Sequence, residues 1–377
     1  MPETKISPPS QRIGGVLAPV VTPFKADLSP DCERFTKHCQ WLRSQDCGLA
    51  VFGTNSEGNS MSAEERMTLL DALVAAGIDP SRMMPGTGCC SVTETVQLTA
   101  HAVKHGCAGV LMLPPFYYKN VSEEGLFRYF NEVVQRVGDT RLKIYLYHIP
   151  PVAIVGITPR LVERLLKSYP NAIAGMKDSS GDWNNTKTFL DAFAVRPRHS
   201  EGIREQAGES ATSPSLPGGK VKEEPTGSFD VFVGSESFLL ANMRNGGAGT
   251  ISATANVSPA AIHKLYAECI RSQTSDIGDQ TPRPVAVAPK AFGAVSAEAR
   301  REVEDLQSKL NVVREVFSSG KFPSMIAALK QAIAIYANDP EWTRVRPPLV
   351  ELTTEQAELL AADLKAIAFA MPGIGRR

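Results

Sequence analysis

The stretch AIAGMKDSSGD, residues 172–182, is a short apolar segment that ends at a lysine and is followed at once by polar, turn-forming residues. This pattern predicts a buried β-strand that leads into a loop, with Lys177 at the carboxyl end of the strand. Removing a lysine from water favours its neutral, nucleophilic amine, which can form a Schiff base with a carbonyl compound. The stretch alone leaves an alternative open, in which the lysine stem packs while the ammonium group stays in water.

On both sides of this strand, short apolar segments alternate with longer amphipathic ones. The apolar segments predict eight strands, and the amphipathic ones predict the helices between them. Ser62 and Glu65 have the spacing of a capping box at one helix start. Eight strand–helix units with short connections predict an α/β protein with a closed (β/α)8 TIM barrel rather than an open doubly wound sheet. The predicted strands are 16–21, 49–52, 82–86, 108–113, 142–147, 172–177, 229–234 and 248–254.

Composition divides the rest of the chain. We expect residues 1–12 to be a disordered lead-in and residues 13–272 to form the barrel. Residues 195–228 are rich in Gly, Pro, Ser and charge, which predicts a mobile insertion. Residues 273–296 read as a loose linker, and residues 297–377 as a C-terminal helical extension that packs on the barrel or on a partner subunit. Its helices are predicted near 297–318, 322–337 and 353–370.

The charge balance argues against polyanionic partners. Forty basic residues balance forty acidic ones in a chain of 377 residues. This leaves no electrostatic case for binding nucleic acid or an anionic membrane surface. No apolar segment approaches the roughly 20 residues that span a bilayer. The first residues lack a secretory apolar segment and an Arg-rich presequence, so we expect a cytoplasmic protein, with a mitochondrial location left open.

Cysteine and histidine spacings predict no metal site. The seven cysteines are scattered without a C-x-x-C motif, so we expect reduced thiols. His101 and His105 have the i, i+4 spacing of a metal pair, but the glutamate of an H-E-x-x-H motif is missing. We expect this pair to lie on a solvated helix face.

In a barrel of this type the reactive groups lie at the carboxyl ends of the strands. The predicted strand ends carry small residues, hydroxyls, tyrosines and one lysine. They show no catalytic-looking carboxylate pair, no Cys/His dyad and no metal cluster. Such a set supports Schiff-base chemistry assisted by phenol and hydroxyl groups, without a cofactor.

Six motifs, in matching order and spacing, resemble the dihydrodipicolinate synthase/N-acetylneuraminate lyase family of Schiff-base aldolases. Two further stretches, 85–96 and 345–356, are most similar to 4-hydroxy-2-oxoglutarate aldolases within that family. The six motifs are TPF (22–24), GTNSEG (53–58), PPFYYK (114–119), YHIP (147–150), GMKDSSGD (175–182) and GGAGTISATANV (246–257).

The resemblance implies a role for each matching residue. Lys177 would condense with the C2 carbonyl of pyruvate or another 2-oxo acid, and Tyr147 would donate and accept protons. Thr54 and Asn55 would hold the keto-acid carboxylate with hydroxyl and backbone N–H groups.

The resemblance also implies a homo-oligomer, a tetramer or a dimer. The family tyrosine of the PPFYYK segment completes the proton relay in a neighbouring subunit. Two adjacent tyrosines compete for that role here, and we favour Tyr117 over Tyr118. Ser179 and Ser235, at the ends of the sixth and seventh predicted strands, are expected to bind substrate.

Two positions depart from the family pattern. Ser56 stands where the family usually has glycine, and it would be strained if the backbone there needs a positive φ. The lysine-pathway synthase carries a carboxylate-binding arginine two residues after the YHIP proline, where this chain has Val152. No guanidinium is available locally after Pro150, which argues against lysine biosynthesis.

The sequence thus predicts a class I aldolase that cleaves a 4-hydroxy-2-oxo acid, such as 4-hydroxy-2-oxoglutarate, to pyruvate and an aldehyde. The alternatives within the same chemistry are a 4-hydroxy-tetrahydrodipicolinate synthase and a 3-deoxy sugar-acid aldolase or dehydratase. A remote alternative is a barrel that binds keto acids without catalysis.

Overall fold

The computed structural model describes residues 12–194, 229–274 and 297–375. The insertion predicted over 195–228 lies outside the described residues, as do almost all of the predicted lead-in and linker. The strands all run parallel, in the order β2-β1-β7-β6-β5-β4-β3. They are β1 (Gly15–Ala18), β2 (Gly48–Leu49), β3 (Val110–Met112), β4 (Ile144–His148), β5 (Ile173–Asp178), β6 (Asp230–Val233) and β7 (Gly249–Ile251).

A short bridging segment, residues 83–86, closes the gap between β2 and β3. Its ends form parallel bridges, Met83 with Leu49 and Gly86 with Leu111. The Leu111 N–H also donates to the Pro85 carbonyl at 2.8 Å. Proline has no N–H to donate, so the predicted third strand is reduced to these bridges. The barrel is nevertheless closed, and the predicted (β/α)8 architecture is confirmed.

Helices cover the outside of the barrel and extend beyond it. Both hydrogen bonds of the predicted capping box at Ser62 and Glu65 are present. The last helix ends at Ala366, four residues before its predicted end. The helices are α1 (Cys32–Ser44), α2 (Ala63–Ala75), α3 (Val92–Lys104), α4 (Glu123–Val137), α5 (Pro150–Ala153), α6 (Pro159–Ser168), α7 (Trp183–Phe193), α8 (Leu239–Arg244), α9 (Pro259–Thr274), α10 (Ala297–Ser318), α11 (Met325–Ala337) and α12 (Thr354–Ala366).

Apolar side chains fill the barrel and cover its outer surface. Leu17, Leu111, Tyr145 and Phe232 belong to one buried cluster that alternate strand positions contribute to the interior. A larger cluster lies between the strands and the surrounding helices. Burial of each large apolar side chain contributes about 1.5–3 kcal/mol, which offsets the conformational entropy lost on folding. Among the described helices, none is both long and apolar enough to cross a membrane.

The two chain ends that flank residues 195–228 lie next to each other. Phe193, at the end of α7, has its ring centroid 5.5 Å from that of Phe229, which directly precedes β6. This contact lies at the amino ends of the strands, on the face of the barrel away from the carboxyl rim.

Of the C-terminal helices, α10 packs against α8, α9 and the loop after β6, α11 against the loop after β7, and α12 against α10 and α11. A buried cluster joins Val21 and Ala253, from the barrel, to Phe317 and Leu329 of the helices. Beneath it, Lys330 of α11 forms a fully buried ion pair with Glu57 of the loop after β2. Burial lowers the pKa of Lys330 to about 8, and the Glu57 carboxylate opposes that shift. The C-terminal helices are therefore tied to a rim loop by a charge pair without solvent access.

Breaking this pair is expected to cost far more than breaking an exposed one. Lys330→Met leaves the Glu57 carboxylate buried without its charge partner, and we expect a loss of about 3–5 kcal/mol in the free energy of unfolding. Lys321→Met, which removes the half-exposed pair with Asp363, is the matched control and should cost at most about 1 kcal/mol. Urea denaturation measures both, and similar small losses would contradict the prediction.

A buried histidine makes stability depend on pH. His38 of α1 packs between Trp41 and Trp342, with ring centroids at 5.5 and 5.1 Å. Burial lowers the pKa of His38 to about 4, from 6.5. The unfolded chain therefore binds the extra proton first, and the contribution of His38 to stability is lost as the pH falls from 6.5 to about 4.

We expect the loss in free energy of unfolding between pH 7 and pH 4.5 to be about 2–3 kcal/mol smaller in His38→Phe than in the parent chain. Urea denaturation at the two pH values gives the comparison. An equal acid loss in both chains would show that His38 is not the group responsible.

Candidate active site

Lys177 and Tyr147 lie side by side at the carboxyl ends of β5 and β4. The parallel register pairs these two residues directly. The Lys177 Nζ donates to the Tyr147 hydroxyl at 3.2 Å and lies 4.3 Å from the centre of the tyrosine ring. Only 2% of Lys177 is exposed. The structure thus gives the buried position that the sequence predicts, instead of an ammonium group left in water.

A second hydroxyl, from Thr54, extends this pair. The Thr54 Oγ1 lies 3.3 Å from the Tyr147 hydroxyl, and either atom can be the donor. Thr54 belongs to the tight turn after β2, which the Gly58 N–H closes by donating to the Gly53 carbonyl at 3.1 Å. A side chain at Gly58 would overlap the Phe52 carbonyl. The turn therefore places Thr54 beside the phenol, and a proton can pass along the three groups.

The backbone strain that a positive φ would cause at Ser56 is absent. In this turn the positive φ values fall on Phe52 (63°) and Glu57 (56°), and Ser56 is not among the positive-φ residues. Ser56 is fully buried, and its carbonyl accepts a hydrogen bond from the Thr22 Oγ1 at 2.7 Å. Its own Oγ has no hydrogen-bond partner within the described residues.

A cavity of about 330 Å³ opens at Lys177 and Tyr147. The residues predicted to bind substrate, Thr54, Asn55, Ser179 and Ser235, all line it. The other lining residues are Ile149, Val152, Asp178, Gly181, Thr186, Gly234, Phe238, Ala253, Arg314 and Met325.

The predicted relay tyrosine lies apart from this cavity. Tyr117 and Tyr118 are 73% and 75% exposed, and their rings meet edge to face at 5.3 Å. Neither lines the cavity of its own chain. The role of Tyr117 in a neighbouring subunit stays a prediction.

His148 points to the opposite face of β4 from Tyr147, as strand alternation predicts. Its Nδ1 accepts from the Ile157 N–H at 2.9 Å, and its ring packs on Phe189. Burial lowers the pKa of His148, and the nearby Asp178 carboxylate opposes the shift. His148 is therefore a packed neutral ring behind the site.

The sequence missed two lining residues from the C-terminal helices. Arg314 of α10 and Met325, the first residue of α11, both border the cavity. The residues that follow YHIP supply no guanidinium, and Arg314 brings one to the cavity from a distant helix. A contact between residues so distant in sequence leaves no local pattern to recognise.

The His101–His105 pair is joined by a carboxylate. The Nε2 atoms of both histidines lie within 2.8 Å of the same oxygen of Asp71, on the neighbouring helix α2. Three ligand atoms therefore lie within 4.8 Å of one another. The sequence missed Asp71, and the expectation of no metal there stays a prediction.

Ser56→Ala is expected to stabilise the chain by about 1 kcal/mol, because it removes a buried hydroxyl whose desolvation no hydrogen bond compensates. The matched control is Thr22→Val, which removes a buried hydroxyl that does have a partner and should destabilise. Thermal and urea unfolding measure both. A loss of stability in Ser56→Ala would show that its hydroxyl has a partner in solution.

Comparison with known proteins agrees with this geometry. The model of the dihydrodipicolinate synthetase family matches residues 12–196. A DapA-like lyase of Chloroflexus aurantiacus is 29% identical over 356 residues, which are 94% of this chain and 96% of the relative. A 4-hydroxy-tetrahydrodipicolinate synthase of Thermus thermophilus is 32% identical over 248 residues, which are 65% of this chain and 70% of the relative.

A solved structure shows the same architecture over almost the whole chain. Dihydrodipicolinate synthase from Agrobacterium tumefaciens superposes with a TM-score of 0.69 at 27% identity, and the match covers 94% of this chain and 99% of that one. The chain therefore belongs to the dihydrodipicolinate synthetase family of Schiff-base lyases.

Proposed function

We propose that this protein is a class I aldolase that cleaves a 4-hydroxy-2-oxo acid, with 4-hydroxy-2-oxoglutarate as the favoured substrate, to pyruvate and glyoxylate. The observation that carries the proposal is the contact of a buried lysine with a chain of two hydroxyls. At the cavity wall, the Tyr147 hydroxyl lies 3.2 Å from the Lys177 Nζ and 3.3 Å from the Thr54 Oγ1.

The first step is imine formation. The neutral Lys177 amine attacks the C2 carbonyl of the keto acid, and the resulting carbinolamine loses water to give an iminium ion. Tyr147, whose hydroxyl lies 3.2 Å from the Lys177 Nζ, supplies and removes the protons that this step needs. Thr54 and Asn55, on the turn after β2, hold the C1 carboxylate.

Cleavage follows from the iminium ion, which acts as the electron sink. Tyr147 takes the proton from the C4 hydroxyl, the C3–C4 bond breaks, and its electrons pass to the iminium nitrogen. The aldehyde leaves, and the remaining enamine is protonated at C3 and hydrolysed to release pyruvate and the free amine. No metal or organic cofactor is required for any of these steps.

A 4-hydroxy-tetrahydrodipicolinate synthase is the second candidate, and one observation favours it. The cavity wall contains Arg314, and a guanidinium suits the carboxylate of aspartate semialdehyde as well as that of glyoxylate. The similarity of two stretches to 4-hydroxy-2-oxoglutarate aldolases, and Val152 in place of the synthase arginine, favour the aldolase.

Incubation of pyruvate with each aldehyde, followed by identification of the product, separates the two candidates. Pyruvate release from a 3-deoxy sugar acid tests the third reaction of this class.

Borohydride should lock pyruvate onto the chain through Lys177. We expect an increase in the intact mass when pyruvate and borohydride are added together, and none for Lys177→Arg, whose guanidinium does not form the imine. Lys177→Ala should lower kcat by about 10³-fold or more. Lys187→Arg, on the exposed side of α7, is the control and should be trapped normally.

Failure to trap the parent chain would contradict the aldolase proposal. Reversible thermal stabilisation by pyruvate without a trapped adduct would instead identify a barrel that binds keto acids and does not catalyse.

We also propose that the chain acts as a homo-oligomer in which Tyr117 completes the relay of a neighbouring subunit. Its high exposure in the single chain leaves it free for such a contact. Tyr117→Phe should lower kcat by about 10²-fold, because it removes one proton-transfer group. Tyr118→Phe is the matched control, with kcat within about threefold of the parent. The opposite result would assign the relay to Tyr118.

A further inference from the structure

A buried carboxylate at the rim takes no part in the proposed mechanism. Glu236 follows β6 and is almost completely buried. Its two oxygens accept hydrogen bonds from the hydroxyls of Ser252 and Thr254, which follow β7. A carboxylate removed from water in this way needs a cation as well as hydrogen bonds.

The cation comes from the C-terminal extension. The Arg314 Nη1, from α10, donates to the Glu236 Oε2 at 2.9 Å and lies 3.4 Å from the Ser252 Oγ. These contacts fix one edge of the guanidinium. An arginine has five N–H donors, and neither Nε nor Nη2 of Arg314 makes a hydrogen bond to any part of the chain that the structure describes.

These unused donors belong to a side chain that lines the cavity of Lys177. The Arg314 side chain is 21% exposed, so a ligand can reach it. Phe238, Ala253 and Met325 are apolar members of the same wall. The cavity therefore combines a lysine for the keto group with an oriented guanidinium among apolar side chains.

We propose that Arg314 binds the second carboxylate of the substrate, so that the site selects dicarboxylic 2-oxo acids over those that end in an uncharged group. This inference rests on the proposed function and names its substrate class. Glu236, Ser252 and Thr254 position the guanidinium, and its remaining donors match the planar geometry of a carboxylate. One guanidinium thus bridges two carboxylates, one from the protein and one from the substrate.

The test compares two substrates that differ only at the distal end. In 4-hydroxy-2-oxopentanoate a methyl group replaces the distal carboxylate of 4-hydroxy-2-oxoglutarate. We expect Arg314→Met to lower kcat/KM for the dicarboxylate by about 10²–10³-fold and to change that for the methyl compound by less than about threefold. Arg344→Met, whose side chain pairs with Glu341 and does not line the cavity, is the matched control and should leave both values near those of the parent.

A second variant controls for the unpaired Glu236 carboxylate that Arg314→Met leaves buried. The double variant Arg314→Met/Glu236→Gln removes the pair as a unit and should lose the same discrimination between the two substrates. Borohydride trapping of pyruvate should persist in both variants, which shows that Lys177 and its surroundings are intact.

Three results would overturn the inference. An equal fall for both substrates would make Arg314 a structural residue only. If Arg314→Met still prefers the dicarboxylate over the methyl compound as strongly as the parent does, and trapping is normal, the inference is wrong and the proposed function stands. Failure of the parent chain to trap pyruvate would overturn the proposed function, and the inference with it.

Discussion

The parallel register between β4 and β5 is the constraint on which the candidate site depends. It sets Tyr147 beside Lys177, and because side chains alternate along a strand, it also turns His148 to the outer face. Closure of the barrel by the bridging segment brings the turn that carries Thr54 to the same rim. A shift of one residue in this pairing would exchange the two faces and put an imidazole where the phenol stands.

Among the ion pairs that join the barrel to the C-terminal helices, two have a fully buried carboxylate, and both lie at the rim. In each, a carboxylate in a barrel loop, Glu57 or Glu236, meets a cation from a distant helix, Lys330 or Arg314. Glu57 lies in the turn that carries Thr54, and Glu236 directly follows Ser235 of the cavity wall. The helices therefore do more than cover apolar surface, because they hold the loops that shape the cavity and contribute part of its wall.

The sequence predicted the features that depend on local pattern. Lys177 follows from the strand pattern, and Tyr147 and the turn at Thr54 follow from motifs that resemble the family; the cavity brings all three together. The third strand is reduced because Pro85 has no N–H to donate to a neighbouring strand. An apolar sequence pattern does not show this loss, so the pattern predicted a full strand. Arg314 could not be predicted, because its position depends on how α10 packs against loops far away in sequence. The backbone conformation at Ser56 could not be predicted either, because the left-handed conformations of this turn fall on Phe52 and Glu57.

The contact between Phe193 and Phe229 has a consequence for how this chain tolerates change. The segment between them departs and returns at nearly one point, at the amino ends of the strands, whereas the cavity opens at the carboxyl ends. Its length is therefore uncoupled from the barrel geometry, because the loop-closure entropy of a longer connection grows only slowly. We expect a longer or rewritten segment at this junction, such as a grafted reporter domain, to leave the distances among the reacting groups unchanged.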